Sequence, residues 1–423
     1  MSFCLDVVRC VWNTHFKGWV STLLFFFVLA GCNEQEHKDD VVTDSFGADV
    51  EFLESYTDII VLSSPDGKGQ VAVAPSLQGR VMTSTAAGEE GRSYGWINRS
   101  LFASRDTMDH INAFGGEERF WMGPEGGQFS LYHGQGGDFS LDNWYVPKLL
   151  DLEPFEVTDQ SINQVSVAKS AILENYSGTE FRFQIHRTIE VLSLTTVYNK
   201  LNIEVPGNLQ TVAYQTTNIL TNTGAMAWDK ATGMPSIWLL GMFNASPQTT
   251  VVIPYIKGAE SILGPIVVDT YFGKVPADRL KIGDGVLYFK GDANYRSKIG
   301  LTPARAKNIL GSYDSQHKIL TLIEYNKPAE DLPYVNSMWE LQEDPYVGDV
   351  INSYNDGPPD INTEQLGSFF ELETSSPAAA LMPTQSISHI QLTYHFEGDE
   401  PALNVLAMQV LGVTLEQIQK AFD

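Results

Sequence analysis

A chain of 423 residues with 52 acidic and 27 basic side chains carries a formal charge of −25. Such a chain repels phosphate backbones, which excludes the basic footprint of nucleic-acid binding, and it is pushed away from anionic lipid surfaces. Its three cysteines, Cys4, Cys10 and Cys32, all fall at the start, so the body has no disulfide framework, no thiol nucleophile and no thiolate metal site.

The first predicted element is a leader. Arg9 and Lys17 precede an apolar run from Trp19 to Ala30 (WVSTLLFFFVLA). That run is shorter than the ~20 residues needed to span a bilayer, but it fits the ~7–15-residue apolar region of an export signal. It ends in Leu29-Ala30-Gly31-Cys32, which resembles a bacterial lipobox. The resemblance implies export, cleavage before Cys32 and lipidation of Cys32, the lipid then being the membrane contact. Loss of residues 1–31, with Arg9, Lys17 and Asp6, moves the formal charge by one unit to −26. Residues 33–49 (NEQEHKDDVVTDSFGAD) are polar and acidic and read, with Cys32, as a flexible tether over 32–49. Asn33 rather than Asp follows the cysteine, which by the sorting rule of Gram-negative lipoproteins implies the outer membrane.

From residue 50 to 423 no Pro/Gly/Ser linker or short repeat interrupts the chain, and one large domain is expected. The local signals are mostly β. Short β-branched runs occur at Asp58–Ser63 and Gln70–Ala74. Thr179–Val191 (TEFRFQIHRTIEV) alternates over its whole length, with Phe181, Phe183, Ile185, Arg187 and Ile189 on one face, as a half-buried strand does. Further strands are expected at Thr196–Glu204, Thr211–Leu220, Ser236–Leu240, Thr249–Pro254, Gly285–Lys290, Lys318–Tyr325, Gly367–Thr374 and His389–Phe396. Helix signals are few. Pro303–Ile309 reads as one or two turns, and Pro401–Phe422 as a C-terminal helix with a capping box at Thr414–Gln417. Many strands with few helices predict packed antiparallel sheets.

Three segments depart from plain strand. Gly115–Gly137 (GGEERFWMGPEGGQFSLYHGQGG) holds eight glycines in 23 residues, among aromatics, Arg119 and three glutamates. Glycine there allows positive φ and close backbone approach. The segment lacks the phosphate-cradle patterns. Tyr334–Pro359 (YVNSMWELQEDPYVGDVINSYNDGPP) crowds aromatics, amides and acids, and Phe369–Pro383 (FFELETSSPAAALMP) sets Glu371 and Glu373 on one strand face. Asp349, Asn352, Asn355, Asp356 and Asp360 offer hard oxygen ligands, so calcium is a possible cofactor, although the spacing is not that of an EF-hand.

Residues 70–86 (QVAVAPSLQGRVMTSTA), followed in order by GGEERFWMGPEGG, TTNILTNTG and FFELETSSPAAALMP, resemble the galactose mutarotase-like superfamily, the relatives of aldose 1-epimerase. More narrowly, GWIN at 95–98, GGEERFWMGPEGGQF, SIWLLGMF, GSYD and NSYNDGPP resemble an uncharacterised family of secreted bacterial proteins within it. The resemblance implies a large antiparallel β-supersandwich with a carbohydrate, mono- or oligosaccharide, as its partner. It implies an acid–base pair on opposite sides of a hemiacetal. The family's catalytic histidine has no counterpart in Thr217–Asn222, which counts against epimerase activity; His110 and His133, which flank the glycine-rich segment, are candidates to substitute, a surface or hydrogen-bonded structural histidine being the alternative at each. Glu118, His133 and Glu371 are the candidate catalytic residues. Arg80, Trp96, Asn98, Arg119, Trp121, Glu125, Trp339, Glu340, Asn355 and Asp356 are the candidate sugar-binding residues. Epimerase, hydrolase or lyase chemistry, glycan binding without turnover, and a structural role stay open. A buried Glu–Arg pair that only fixes the glycine-rich loop is the structural alternative at Glu118 and Arg119.

Overall fold

The computed structural model describes residues 45–203, 209–359 and 363–423; the leader, Cys32, the greater part of the expected tether and Asp360 lie outside them. The tether's last residues are not extended. Ser45 caps a helix, Phe46–Glu54, by accepting from the Ala48 N–H, and this helix packs Phe46 and Leu53 inward.

Among the described residues eighteen strands follow in chain order. The first four are β1 (Ile60–Ser63), β2 (Gln70–Ala74), β3 (Arg80–Thr85) and β4 (Arg119–Gly123). Next come β5 (Glu156–Gln160), β6 (Gln164–Glu174), β7 (Glu180–Val191), β8 (Gln210–Asn222), β9 (Ser236–Asn244) and β10 (Thr249–Pro254). The rest are β11 (Leu280–Ile282), β12 (Val286–Lys290), β13 (Ser297–Leu301), β14 (Ile309–Asp314), β15 (Ile319–Tyr325), β16 (Ile351–Asn355), β17 (Phe369–Ser375) and β18 (Ser386–Glu397). They form a ten-stranded sheet ordered β11-β12-β10-β14-β15-β18-β8-β7-β6-β5, a five-stranded sheet ordered β13-β16-β17-β9-β4, and a three-stranded sheet β1-β2-β3. The pairings within these sheets are antiparallel, as expected.

The ten-stranded sheet has two covered faces. Its inner face meets the five-stranded sheet: Val251, Ile253, Leu310 and Ile323 pack with Ile299, Ile351, Phe370 and Leu372. Its outer face is capped by the C-terminal segment, where Leu403, Leu406, Leu411, Leu415 and Ile418 lie on Ala213, Leu320, Leu322 and Tyr394. That segment is helical as predicted, with the Thr414–Gln417 capping box formed. The alternation read in β7 is also present: Phe181, Phe183, Ile185, Arg187 and Ile189 are buried, and the intervening residues face outward.

Two expectations fail for local reasons. The described part of the expected strand Thr196–Glu204, up to Ile203, is not a strand; Leu194–Leu201 is a helix, capped by Ser193 and ended by Asn202 at φ 50°. The β-branched Thr-Thr-Val run suggested a strand, but the serine cap and the left-handed asparagine stop set the local geometry. Pro303–Ile309 forms a turn and leads into β14 rather than a helix. Arg305 in that turn donates to the Ile256, Gly258 and Gly264 carbonyls, which takes the place of helical bonding.

A polar band runs through the otherwise apolar sandwich. Arg187 on β7 donates to Glu118 Oε1 at 2.8 Å, to Asn218 Oδ1 at 2.7 Å and to the Gly79 carbonyl at 3.1 Å. The other Glu118 oxygen accepts from Gln391 at 2.8 Å. His389 on β18 shares a hydrogen bond with Thr374 Oγ1 across the two sheets at 2.8 Å. Glu118, Arg187, Asn218 and His389 are all solvent-inaccessible or nearly so. Burial raises the Glu118 carboxyl above the usual range, and the Arg187 charge opposes that rise.

Candidate active site on the outer face of the five-stranded sheet

The polar site lies on the face of the five-stranded sheet that points away from the sandwich core. Directly opposed residues of antiparallel strands share a face. Register sets Arg119 opposite Leu240 and Trp121 opposite Trp238, and sets Glu373 between Leu240 and Asn352. Glu371 lies opposite Tyr354, and Lys298 lies opposite Tyr354 from the other side. One face therefore carries Arg119, Trp121, Trp238, Lys298, Glu371 and Glu373, while Phe120, Leu239, Ile299 and Leu372 face the core.

Two ion pairs order this face. Arg119 Nη2 meets Glu371 Oε1 at 2.5 Å, and Lys298 Nζ meets Glu373 Oε2 at 3.0 Å. The Trp238 indole N–H also donates to Glu373 Oε2, at 2.9 Å. Aromatic rings hold the cations: the Arg119 guanidinium lies 5.0 Å from the Trp121 ring, and Lys298 Nζ lies 4.8 Å from Trp238 and 5.6 Å from Tyr271. Asp349 accepts from the Tyr271 hydroxyl at 2.6 Å.

Carboxyls outnumber cations here, and this sets the acid–base character. Burial raises the Glu371 carboxyl to about 7; Arg119 and Lys298 oppose the shift, and Glu373 and Asp356 add to it. Burial raises Asp349 to about 6, against hydrogen bonds from Tyr271 and Asn352 and the charge of Lys298. Glu125 is also raised by burial, with Lys298 opposing and Glu373 reinforcing. Lys298 is held above the usual lysine range: burial lowers it, but the charges of Glu373, Glu125 and Glu371 prevail. Carboxyls that titrate near neutrality can donate and accept protons at working pH.

Two of the segments that did not read as strand form the cover. Gln128 and Gln342 exchange bonds, side chain to backbone, at 2.9 and 3.1 Å, and the Gln342 amide reaches the Asn336 and Met338 carbonyls. Close approach explains a glycine here, since a Cβ on Gly126 would lie 2.3 Å from the Met338 oxygen. Under this cover Trp339 stacks on Trp144 at 5.7 Å and meets the His133 ring edge-on at 5.2 Å. His133 Nδ1 pairs with Ser130 Oγ at 3.1 Å, and burial lowers its pKa, against the charge of Asp138. Beneath Val335 and Ser337, next to Trp238, Lys298 and Asp349, is a cavity of about 10 Å³, room for no more than one water.

Several buried polar atoms at this face have no hydrogen-bond partner among the described residues: Arg119 Nε, Trp121 Nε1, Ser236 Oγ, Asp349 Oδ1 and Glu373 Oε1. An orphaned buried polar group costs about 1–3 kcal/mol, so a concentration of them beside stacked aromatics marks a place where a polar ligand or water completes the bonding.

The structure gathers Arg119, Trp121, Glu125, His133, Trp339 and Glu371 of the expected residues at or around this face. Trp96 lies on the same side, tilted against Phe369 at 4.7 Å. The others are elsewhere. Glu118 is in the interior band with Arg187, because successive strand residues point to opposite faces and Arg119 points outward. Arg80 is also interior, donating to the Gly115 carbonyl and Gln78, and burial lowers it to about 9. Asn98 caps the helix Arg99–Ser104. Glu340 is exposed on the cover. Asn355 faces the opposite side of β16, where it binds the Ala293 N–H and the Tyr295 carbonyl. Asp356, by contrast, is on the side of the outer face, where it accepts from Tyr354 and the Gly367 N–H and adds to the rise of Glu371. Of the oxygen ligands considered for calcium, Asp349 and Asn352 face Tyr271 while Asn355 points away, and among the described residues no group of three His, Cys, Asp or Glu is placed to hold a metal. Sequence reasoning did not select Lys298, Trp238, Tyr271 or Trp144. A lysine within the apolar strand Ser297–Leu301 was the signal available for the first.

The profile of a family of unknown function, DUF6786, matches residues 44–422. The chain belongs to that family. Among curated proteins none matches this chain. Solved structures of similar architecture include galactose mutarotase-like proteins at low identity. A galactose mutarotase-like protein from Lactobacillus casei is 10% identical, with 80% of this chain and 99% of that one covered at a TM-score of 0.44. A galactose mutarotase related enzyme from Lactobacillus acidophilus is 9% identical, with 81% and 99% covered at 0.44. The Slr1438 protein from Synechocystis is 12% identical, with 81% and 96% covered at 0.48.

Proposed function

We propose that this member of the DUF6786 family is a lipid-anchored envelope protein that binds a carbohydrate on the outer face of the five-stranded sheet, with Glu371 and Asp349 available to move protons on it. One observation carries the reading: partnerless buried donors and acceptors, among them Trp121 Nε1, Asp349 Oδ1 and Glu373 Oε1, stand beside the rings of Trp121 and Trp238. They lie beneath the cover joined by Gln128 and Gln342, which has to open for a sugar because the space under it holds no more than one water. A sugar offers both donors and acceptors on its hydroxyls and an apolar C–H face for an indole, which suits that mixture. The raised carboxyls support proton transfer at a hemiacetal or glycosidic centre. Binding without turnover is the second reading, favoured by β8, where Asn218 is committed to Arg187 and no histidine stands in Thr217–Asn222.

Isothermal titration of the full chain against a panel of mono- and oligosaccharides tests the proposal. A saturable ligand is expected, with affinity at least tenfold weaker in Trp121→Ala. Turnover of that ligand, if present, is expected to vanish in Glu371→Gln while binding persists. Undiminished affinity in Trp121→Ala removes this face from the site. The anchor rests on Leu29–Cys32 behind the apolar run; Cys32→Ser is expected to abolish incorporation of labelled fatty acid, and unchanged labelling would refute it.

A further inference from the structure

We propose that the chain carries a second site, independent of the carbohydrate reading: an acyl-transfer centre that hydrolyses acetyl esters, built from Thr321, His395 and Glu117. These side chains form a hydroxyl–imidazole–carboxylate relay. His395 Nδ1 shares a hydrogen bond with Thr321 Oγ1 at 2.9 Å, and its Nε2 meets Glu117 Oε1 at 2.6 Å. Such a constellation is recognised by geometry and roles, not by order along the chain. The carboxylate is itself oriented, since the Ser84 hydroxyl donates to Glu117 Oε1 at 2.8 Å. Aromatic rings fix the imidazole: Tyr94 stacks on it at 4.3 Å and Phe243 meets it edge-on at 5.8 Å. Tyr94 is tethered in turn, its hydroxyl donating to Glu397 at 2.9 Å.

A pocket leads to the relay. Thr321 lies opposite Ser312 on β14 and opposite His395 on β18, so the three share the inner face of the ten-stranded sheet. They line a pocket of about 50 Å³. Half-buried Arg92 and His317 stand at its mouth, and Thr321, 5% exposed, and His395, fully buried, lie deeper. Phe370 forms an apolar wall; it alternates with Glu371 on β17, so the pocket is on the opposite side of the five-stranded sheet from the outer face. At ~10–15 Å³ for each water, the pocket takes roughly four waters, the bulk of an acetyl ester group and little more. Arg92 Nε is buried there with no partner among the described residues. A cationic donor suits an ester carbonyl oxygen, which becomes an oxyanion on attack. A network that only tied β15 to β18 would need neither an opening nor an unpartnered donor beside it.

The relay can carry both halves of the reaction. With its proton on Nε2, facing Glu117, His395 takes the Thr321 proton at Nδ1 as Oγ1 bonds to the acetyl carbon. The ester C–O bond then breaks, and the departing alcohol oxygen takes that proton from Nδ1. Water attacks the acetyl–threonine ester in the same way, giving a proton to Nδ1 while its oxygen bonds to the carbonyl carbon. Acetic acid leaves as Thr321 Oγ1 recovers the proton. The sum is ester plus water giving alcohol plus acid.

Release of 4-nitrophenolate from 4-nitrophenyl acetate by the full chain tests the proposal. Saturable turnover is expected. It should fall about a hundredfold or more in His395→Gln and in Thr321→Val, which keeps the side-chain shape, and stay within about tenfold of the wild type in Thr321→Ser. The butyrate ester should turn over about tenfold more slowly than the acetate or worse, because the pocket has no room for a longer chain. Absence of turnover by the wild type, unchanged turnover in Thr321→Val, or equal rates for the two esters overturns the inference. Circular dichroism checks that the core variants fold. If Thr321→Val does not, peptide mass mapping of the acid-quenched wild type decides: acetyl on the peptide that carries Thr321 supports the relay, and no acetyl on that peptide overturns it.

Discussion

Removing the Arg187 charge tests whether the interior polar band is structural. In Arg187→Met the Glu118 carboxyl, fully buried and 2.8 Å from the guanidinium in the native chain, loses its cation. Asn218 and the Gly79 carbonyl lose donors at the same time. Breaking one partner of a buried pair costs about 3–5 kcal/mol. Unfolding entropy of ~2.1 cal/mol/K per residue, over the roughly 380 residues from Ser45, gives ~0.8 kcal/mol/K. The expected fall in Tm is therefore about 4–6 °C, read by calorimetry at pH 8. The penalty should shrink toward pH 5. Without Arg187 the folded-state pKa of Glu118 rises further above its unfolded value, so the destabilisation is present at high pH and fades as Glu118 protonates. The double variant Glu118→Gln/Arg187→Met should recover part of the loss. A Tm within 1 °C of the wild type at pH 8, or a penalty independent of pH, would refute the assignment of this pair to the core.

Three further outcomes are expected. Carboxyl NMR of the wild type should show Asp349 titrating near 6 and Glu371 near 7, and Arg119→Met should move Glu371 higher still; ordinary carboxylate titration of both would remove the acid–base reading. His389, lowered by burial to about 3, should contribute stability that is complete above its unfolded pKa of ~6.5 and is lost as pH falls from there toward 3. Replacing it with Gln should flatten the pH dependence of Tm in that window, and an unchanged profile would assign the acid sensitivity elsewhere. Gly126→Ala places a Cβ 2.3 Å from the Met338 oxygen and should cost about 1–3 kcal/mol, with faster hydrogen exchange over residues 336–342; an unaltered Tm would mean the cover yields freely.

How much of this was legible beforehand depended on the range of the interaction involved. The mostly-β class, the buried face of Phe181–Ile189 and the C-terminal helix with its Thr414 cap could be read from the amino-acid sequence. Each of these is written in neighbouring residues through a period, a cap or a short motif. The sequence also pointed to Arg119, Trp121 and Glu371, whose clustering with glycine or with other acids was visible along the chain. Tertiary structure alone decided partnership. Arg119 is separated from Glu371 by 252 positions, and Glu118 from Gln391 by 273. Strand alternation guarantees that Glu118 and Arg119 point to opposite faces, but only the sheet packing says which face is the core and which carries the candidate site. The raised carboxyls follow from burial and from which cations Glu125, Asp349 and Glu371 meet, both set by contacts between strands far apart in the chain.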